Sequence, residues 1–456
     1  MTAACAASKA CAVNPLKLSP ALGAAMAFLG VERALPLLHG SQGCTAFALV
    51  LMVRHFQEAI PLQTTAMSEL NTILGGADNV EQAIETIFDR AAPRLIGICS
   101  TALTETRGED VSGDLAVIRQ RHPEWRDLAV VSAATPDWAG SLEDGWGAAV
   151  KALVEALVPV GGEPGRLRQV NLLAGAHLSP ADVEATRELI AGFGLNAVVL
   201  PDLSESLDGH VPDEYSGVSL GGTLIDDIRT MGFSMLTLAI GSHMQPAAIA
   251  LHKRTGVPFR LFDTLSGLEA ADAFVASLIE LTQLMPPPAV QRARSRLIDA
   301  MLDAHFYFDG CRVGIAGEAD LVQGIAGVIA GLGARIEPAV VASTHRRVVT
   351  DGPFVTVTGD LDDFAAAAAG CRLLIANSHA ATLAGELDIP LLRAGFPVFD
   401  RIGAPQRQWV GYDGTRALIF EVANLLLEHG RHGHGHLASP GIGRQQELSH
   451  AEAYSD

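Results

Sequence analysis

The sequence predicts an α/β protein built from three Rossmann-like domains with mainly parallel sheets. Three observations carry that expectation. Short, almost wholly apolar runs alternate with amphipathic stretches of helical period, as strands covered by helices on both faces require. Glycine is abundant, at 46 of 456 residues, while aromatic residues make up only 5%; glycine suits the tight turns from strand into helix. Two Gly/Pro-rich seams then divide the chain into pieces of domain size, and a length of 456 residues itself suggests about three domains at roughly 100–200 residues each.

The strand-like runs come in order. They are RLIGICS (94–100), DLAVVSAAT (127–135), RQVNLLAG (168–175) and NAVVLPDLS (196–204), then SMLTLAIG (234–241), CRVGIAG (311–317), EPAVVAST (337–344), CRLLIANS (371–378) and IPLLRAG (389–395). Between them NVEQAIETIFDRAA (79–92) and SPADVEATRELIAGFG (179–194) predict helices. The second offers Ser179 as N-cap, Pro180 in the first turn and Gly192 or Gly194 as the stop. The seams are VPVGGEPGRLR (158–168) and LMPPPAVQRARSRL (284–297), where a run of prolines precedes a basic helix. The expected divisions are therefore 1–160, 161–288 and 289–430. Residues 431–456 carry few large apolar side chains and are expected to form a mobile tail.

Charge narrows the function classes. The formal net charge is −19, from 32 basic and 51 acidic residues, which disfavours nucleic acid as a partner. No apolar run reaches the length of about 18 residues that a spanning helix needs, so no membrane partner is expected. The N-terminus MTAACAASKACAVNPLK lacks the apolar core of a secretory signal. Six cysteines without framework spacing do not make a disulfide scaffold, and a reducing cytoplasm is expected.

In open α/β sheets ligands sit at the carboxyl ends of strands. That directs attention to STALTETRGED (100–110), DLSESLDGH (202–210), GSHMQ (241–245), NSHA (377–380) and RAGFPVFDR (393–401). A further turn, HGSQGCTAF (39–47), places Cys44 at the mouth of a helical run with Phe47, Val50, Met52, Val53 and Phe56 at helical spacing. The positive end of a helix dipole favours a thiolate, the form that binds iron. A buried structural cysteine satisfies the local pattern equally. A cubane iron–sulfur cluster needs four thiolates, and Cys44 has no nearby companion. Cys99, Cys311 and Cys371 lie in or at the start of apolar strands, where a small buried hydrophobe is the simpler role. Cys5 and Cys11 sit in a segment without clear periodicity. If Cys44 binds a cluster, most other ligands come from another chain.

Other motifs carry less. His429, His432, His434 and His436 could bind a divalent metal, though a solvated tail explains them. Asn377, Ser378 and His379 could meet an anion, but helix capping accounts for Asn377 or Ser378 equally. SLGGTL (219–224) lacks the GxGxxG order and no GxxxxGK[ST] occurs, so a nucleotide site is unsupported. No catalytic triad or acid/base pair is identified.

The stretches NPLKLSPALGAAMAFLGVERALPLLHGSQGCTAF, VRHFQEAIPLQTTAM (53–67), DLSESLDGH and LLRAGFPVFDR (391–401) closely resemble the NifN family of nitrogenase cofactor-assembly subunits, over about residues 13–430. That family is similar to the β subunit of nitrogenase component 1. The resemblance implies three Rossmann-like α/β domains and pairing with a NifE-like chain, two pairs forming a heterotetramer. It implies a 4Fe–4S cluster at the interface of each pair, with one ligand from the HGSQGC cysteine, here Cys44, and three from the partner. It also implies a cofactor precursor held by the complex, chiefly on the partner, that matures with molybdenum and homocitrate. A NifB-type donor supplies the precursor, the Fe protein NifH supplies molybdenum, homocitrate and electrons, and apo-nitrogenase accepts the product.

The expected function is thus an assembly scaffold with at most weak nitrogenase-like oxidoreductase activity. The alternatives are a catalytic nitrogenase β subunit, a subunit of a nitrogenase-like reductase such as the light-independent protochlorophyllide enzyme, and a cluster-free Rossmann-type sugar or nucleotide enzyme. By the resemblance, the catalytic β subunit uses three cysteines toward an eight-iron P-cluster. Here Leu62 and Ala102 stand in place of the second and third, and neither can donate to iron.

Overall fold

In this computed structural model the described residues are 14–210, 216–343 and 353–433. Their strands form three sheets, all parallel. The first runs β2-β1-β3-β4, with β1 at Ala34–His39, β2 at Gln63–Thr64, β3 at Leu95–Ser100 and β4 at Ala129–Ala133. The second runs β6-β5-β7-β8, with β5 at Gln169–Leu173, β6 at Asn196–Leu200, β7 at Leu236–Ile240 and β8 at Phe259–Phe262. The third runs β11-β10-β9-β12-β13, from β9 at Arg312–Gly317 through β10 (Arg335–Val341), β11 (Thr356–Thr358) and β12 (Leu373–Ala376) to β13 at Leu391–Arg393. Every residue of β1, β3, β5 and β7 is buried, as central strands between helical layers must be.

Local chemistry explains the helices. Ser179 caps the Pro180–Gly192 helix by accepting from the Asp182 N–H, and Asp182 answers with a bond to the Ser179 N–H. That is a capping box with proline in the first turn. The predicted helix at 79–92 forms as Ala77–Ala91, burying Val80, Ile84 and Ile87 on one face. The helix Pro20–Leu29 is apolar on all sides and buried at every residue. It lies against the helix Leu142–Leu157 with the backbones almost touching. A Cβ built on Gly23 would come 1.9 Å from the Leu142 carbonyl oxygen, and one on Gly145 would come 1.8 Å from that of Pro20.

Three features depart from the sequence expectation. The helix Gln42–Phe56 buries Ala48, Leu51, Met52 and Phe56 but leaves Phe47 72% and Val50 50% exposed, so its apolar residues serve two faces. β1, absent from the expected strands, is central to the first sheet; Pro36 interrupts its run, and a proline argues against a central strand. It pairs with Gly97 of β3, at a level that β2 does not reach. Finally, the last helix continues to Gly433, beyond the expected seam at 430. The side chain of His432 lies outside the described residues, as do Cys5, Cys11 and residues 434–456 with His434 and His436; His429 is exposed, its Nδ1 3.2 Å from the Leu425 carbonyl oxygen.

The chain also crosses between sheets. Leu16 packs with Ala316 and Leu374 of the third sheet. Ser219 and Thr223 hydrogen-bond the backbone of Ala34 and Gly30 beside the first. No described helix is long and apolar enough to cross a membrane.

Candidate functional site

In the first sheet the connections from β1 and β3 lead to opposite sides, which makes their carboxyl ends a switch point of the kind that receives ligands. Two turns meet there. The Gly40 turn approaches Thr101 so closely that a Cβ on Gly40 would lie 2.5 Å from Thr101 Oγ1, so only glycine fits. Thr101 Oγ1 donates to the His39 carbonyl oxygen at 2.9 Å. The segment after β2 is stitched alongside: the Thr65 N–H donates to the Leu38 oxygen and the Met67 N–H to the Gly40 oxygen, while the Gly40 N–H donates to Thr65 Oγ1 at 3.1 Å.

His39 lies beneath these turns, 1% exposed. Its Nδ1 is 3.0 Å from Thr65 Oγ1 and its Nε2 is 2.7 Å from Glu109 Oε2. Burial lowers the His39 pKa, while the hydrogen bond and charge of Glu109 pull it back up. Glu109 also accepts the Gly76 N–H at 3.0 Å and pairs with Arg107 Nε at 3.3 Å.

Cys44 is the third residue of the Gln42–Phe56 helix and is exposed. Its sulfur lies 3.7 Å from Ser41 Oγ. The first turn holds no acidic residue, so no carboxylate there offsets the positive end of the helix. A Cβ on the adjoining Gly43 would meet nothing within 4 Å. One thiol therefore stands beside open space at the switch point. Leu62, just before β2, is only 8% exposed, and Ala102 opens the short helix Ala102–Arg107. Cys99 is fully buried in β3, and burial pushes its thiol well above the ordinary range. Cys311 and Cys371 are buried by the third sheet, and burial raises both. Among the described cysteines Cys44 alone is exposed. This donor set suits a cluster that takes one thiolate from this chain and the remainder from elsewhere, and it cannot complete a cubane alone.

Other sequence candidates resolve as structural. Asn377 caps its turn by accepting the His379 N–H at 3.1 Å, and the Ser378 hydroxyl donates to Asp400. In the loop 202–210, Asp202 Oδ1 accepts from the Ser204 N–H and hydroxyl. A group that sequence reasoning missed is His177, His243 and Asp320, whose ligating atoms lie within 4.8 Å of one another. It joins the switch points of the second and third sheets. His243 Nε2, however, accepts the Ala176 N–H at 2.8 Å, which leaves the proton on Nδ1, 2.5 Å from Asp320 Oδ2. Asp320 further accepts from the His243 N–H and the Ser242 hydroxyl. Nδ1 thus carries a proton and the Nε2 lone pair is taken by an amide, so His243 has no lone pair left for a metal, and its bonds tie the two sheets together. GSHMQ alone gave no signal of Asp320, 77 residues away.

A cavity of about 860 Å³ lies where the helix Gln42–Phe56 ends, bordered by His55, Glu58, His210, Asp400, Arg401 and Gln406 among others. His55 accepts the Val398 N–H at 2.9 Å, and burial lowers its pKa to about 4, so it is neutral. No cysteine is among the described residues lining the cavity.

Residues 19–427 match the family described as Nitrogenase component 1 type Oxidoreductase. The chain is 49% identical over 423 residues to the nitrogenase iron-molybdenum cofactor biosynthesis protein NifN of Rhodobacter capsulatus, covering 92% of each chain. It is 48% identical to the NifN of Bradyrhizobium diazoefficiens, covering 92% of this chain and 91% of that one. Among solved structures it is similar to "Nitrogenase Cp1 at pH 6.5", with a TM-score of 0.89, 31% identity, and coverage of 94% of this chain and 96% of that chain.

Proposed function

The chain belongs to the nitrogenase component 1 type oxidoreductase family, and from that membership we propose that it is a scaffold subunit for biosynthesis of the nitrogenase iron–molybdenum cofactor. The observation that carries the reading is the donor set at the first switch point: Cys44 exposed beside open space, with Leu62 and Ala102 unable to bind iron. Cys44 would hold one iron of a 4Fe–4S cluster shared with a NifE-like partner. When bound, that cluster supplies one-electron transfer. The chain's own part is to present the thiolate at a helix N-terminus, hold its turn against Thr101 and Thr65, and offer apolar surface to the partner. Phe47 and Val50, with Leu70 and Ile73 on the helix Glu69–Leu74, are exposed, and burying such side chains drives association.

The cofactor precursor is cargo in this reading. The family resemblance supports placing it mainly on the partner. A NifB-type donor, the Fe protein NifH and apo-nitrogenase are the remaining partners, and the assembly is a cytoplasmic heterotetramer. The catalytic β-subunit reading has in its favour the close likeness to a nitrogenase structure, but an eight-iron cluster would lack ligands at Leu62 and Ala102.

Expressed alone, the chain should bind little iron; co-purified with a NifE-like partner it should carry four irons per interface. Iron analysis and EPR decide. Eight-iron interface clusters with robust ammonia formation in the presence of Fe protein and ATP would make it a catalytic β subunit. Cys44→Ala should leave the fold intact, since the side chain is exposed, while the interface cluster becomes labile or changes its EPR signal. Unchanged cluster EPR in that variant would refute the ligand assignment.

A further inference from the structure

We infer that His39 is a positioning residue for the cluster site at Cys44, acting through Thr65 and Glu109; the inference rests on the reading of Cys44 as a cluster ligand. His39 ends β1, five positions before Cys44. Three segments converge on its ring. Thr65 Oγ1 lies at 3.0 Å on the Nδ1 side, and Glu109 Oε2 at 2.7 Å on the Nε2 side. Gly76 covers the ring edge so closely that a Cβ there would lie 2.5 Å from His39 Cε1.

The constraint reaches the cysteine turn along a short path. The hydroxyl that meets His39 also accepts the Gly40 N–H at 3.1 Å, and Gly40 directly precedes Ser41, the N-cap of the helix that carries Cys44. The same ring tethers the Thr101–Glu109 segment through a carboxylate that itself holds Gly76 and Arg107. These are the segments in which Cys44, Leu62 and Ala102 lie. A phenyl or isobutyl group could fill the same volume without the desolvation that a buried imidazole costs. Only a ring with a nitrogen at each edge spans the hydroxyl and the carboxylate at once. Hydrogen-bonded groups behind a ligand set its orientation, and charge near a cluster tunes its potential.

The test uses the complex with the NifE-like partner, following iron release to a ferrous chelator, the EPR signal and the midpoint potential. His39→Gln and Thr65→Val should each release interface iron on the order of 10-fold faster than the parent, with altered g-values. Thr65→Ser, which keeps the hydroxyl, should behave as the parent. Glu109→Gln should raise the midpoint potential, because a negative charge is removed. His122→Gln, at a surface histidine paired with Glu81 and Glu124 in the same part of the chain, should change none of these.

Parent-like iron release and EPR in both His39→Gln and Thr65→Val would overturn the inference, as would an equal change in His122→Gln. If His39→Gln does not fold, the contrast between Thr65→Val and Thr65→Ser decides alone. A parent complex with no interface cluster would overturn the cluster reading and this inference with it, and is told apart by the parent's own spectrum.

Discussion

Replacing Gly145 with alanine is expected to destabilise the protein by about 3 kcal/mol or more, at the upper end of what overpacking costs. The new methyl would lie 1.8 Å from the Pro20 carbonyl oxygen and 2.6 Å from its Cα. These are backbone atoms of a helix buried on every side, so no flexible side chain can give way. The Pro20–Leu29 helix would have to withdraw from Leu142–Leu157, opening the core that both share with β1 and β3. Gly327 makes the control. It lies within the helix Ala319–Gly331, and a Cβ there meets nothing within 4 Å. Gly327→Ala should therefore stabilise, by about 0.5–1 kcal/mol, because alanine loses less backbone freedom on folding. Thermal and urea unfolding of both variants would show the opposite signs. A Gly145→Ala protein that unfolds with the parent would mean the two helices are not in backbone contact.

Asp182→Ala should be comparably damaging. The carboxylate is 5% exposed and joins two parts of the chain. Oδ1 accepts the Trp409 N–H at 2.7 Å and the Val410 N–H at 3.1 Å, and Oδ2 accepts the Ser179 N–H at 3.0 Å. Truncation strands three amides, each worth about 1–3 kcal/mol when buried without a partner. A loss of about 3–6 kcal/mol is expected by urea denaturation, and a loss below about 1 kcal/mol would show that water or a shifted loop satisfies those groups.

The same residue gives a pH signature. Burial raises the Asp182 pKa from 3.8 to about 6, against the lowering effect of its backbone hydrogen bonds. A folded-state value above the unfolded one means that Asp182 contributes stability below about pH 4 and that this contribution fades as pH rises through about 6. A shift of about two pH units corresponds to roughly 3 kcal/mol. In Asp182→Asn that dependence should vanish, so the parent-minus-variant difference in unfolding free energy should fall between pH 4 and pH 7. A rising difference would mean that the three amide donors outweigh desolvation.

Much of the architecture was legible because strands buried on both faces advertise themselves as unbroken apolar runs. RLIGICS became β3 and RQVNLLAG became β5, each within two residues at its ends. The Ser179 cap and Pro180 start were legible because capping is local chemistry. β1 was not, since Pro36 breaks its run. β2, two residues long, and β11, three, are too short to carry a pattern. The two faces of the Gln42–Phe56 helix were also hidden: spacing shows that Phe47 and Val50 are apolar, but not that this chain leaves them exposed.

The site divides the same way. Cys44 at a helix mouth was legible from its neighbours, and the resemblance placed Leu62 and Ala102 where a catalytic β subunit has two further cysteines; that Cys44 is exposed became visible only in the structure. The His39, Thr65 and Glu109 network could not be read from the chain, because its members are separated by 26 and 70 positions. Asp182 gave only its local half, the cap, and kept its bonds to Trp409 and Val410 for the folded state. The sequence by itself determined the alternation of strand and helix, the caps and the place of Cys44 at a helix mouth, because those depend on near neighbours and on atom types. The tertiary structure decided which apolar face stays open, which glycines bear helix contacts and which buried polar groups find partners, because each of those depends on backbone brought close from distant parts of the chain.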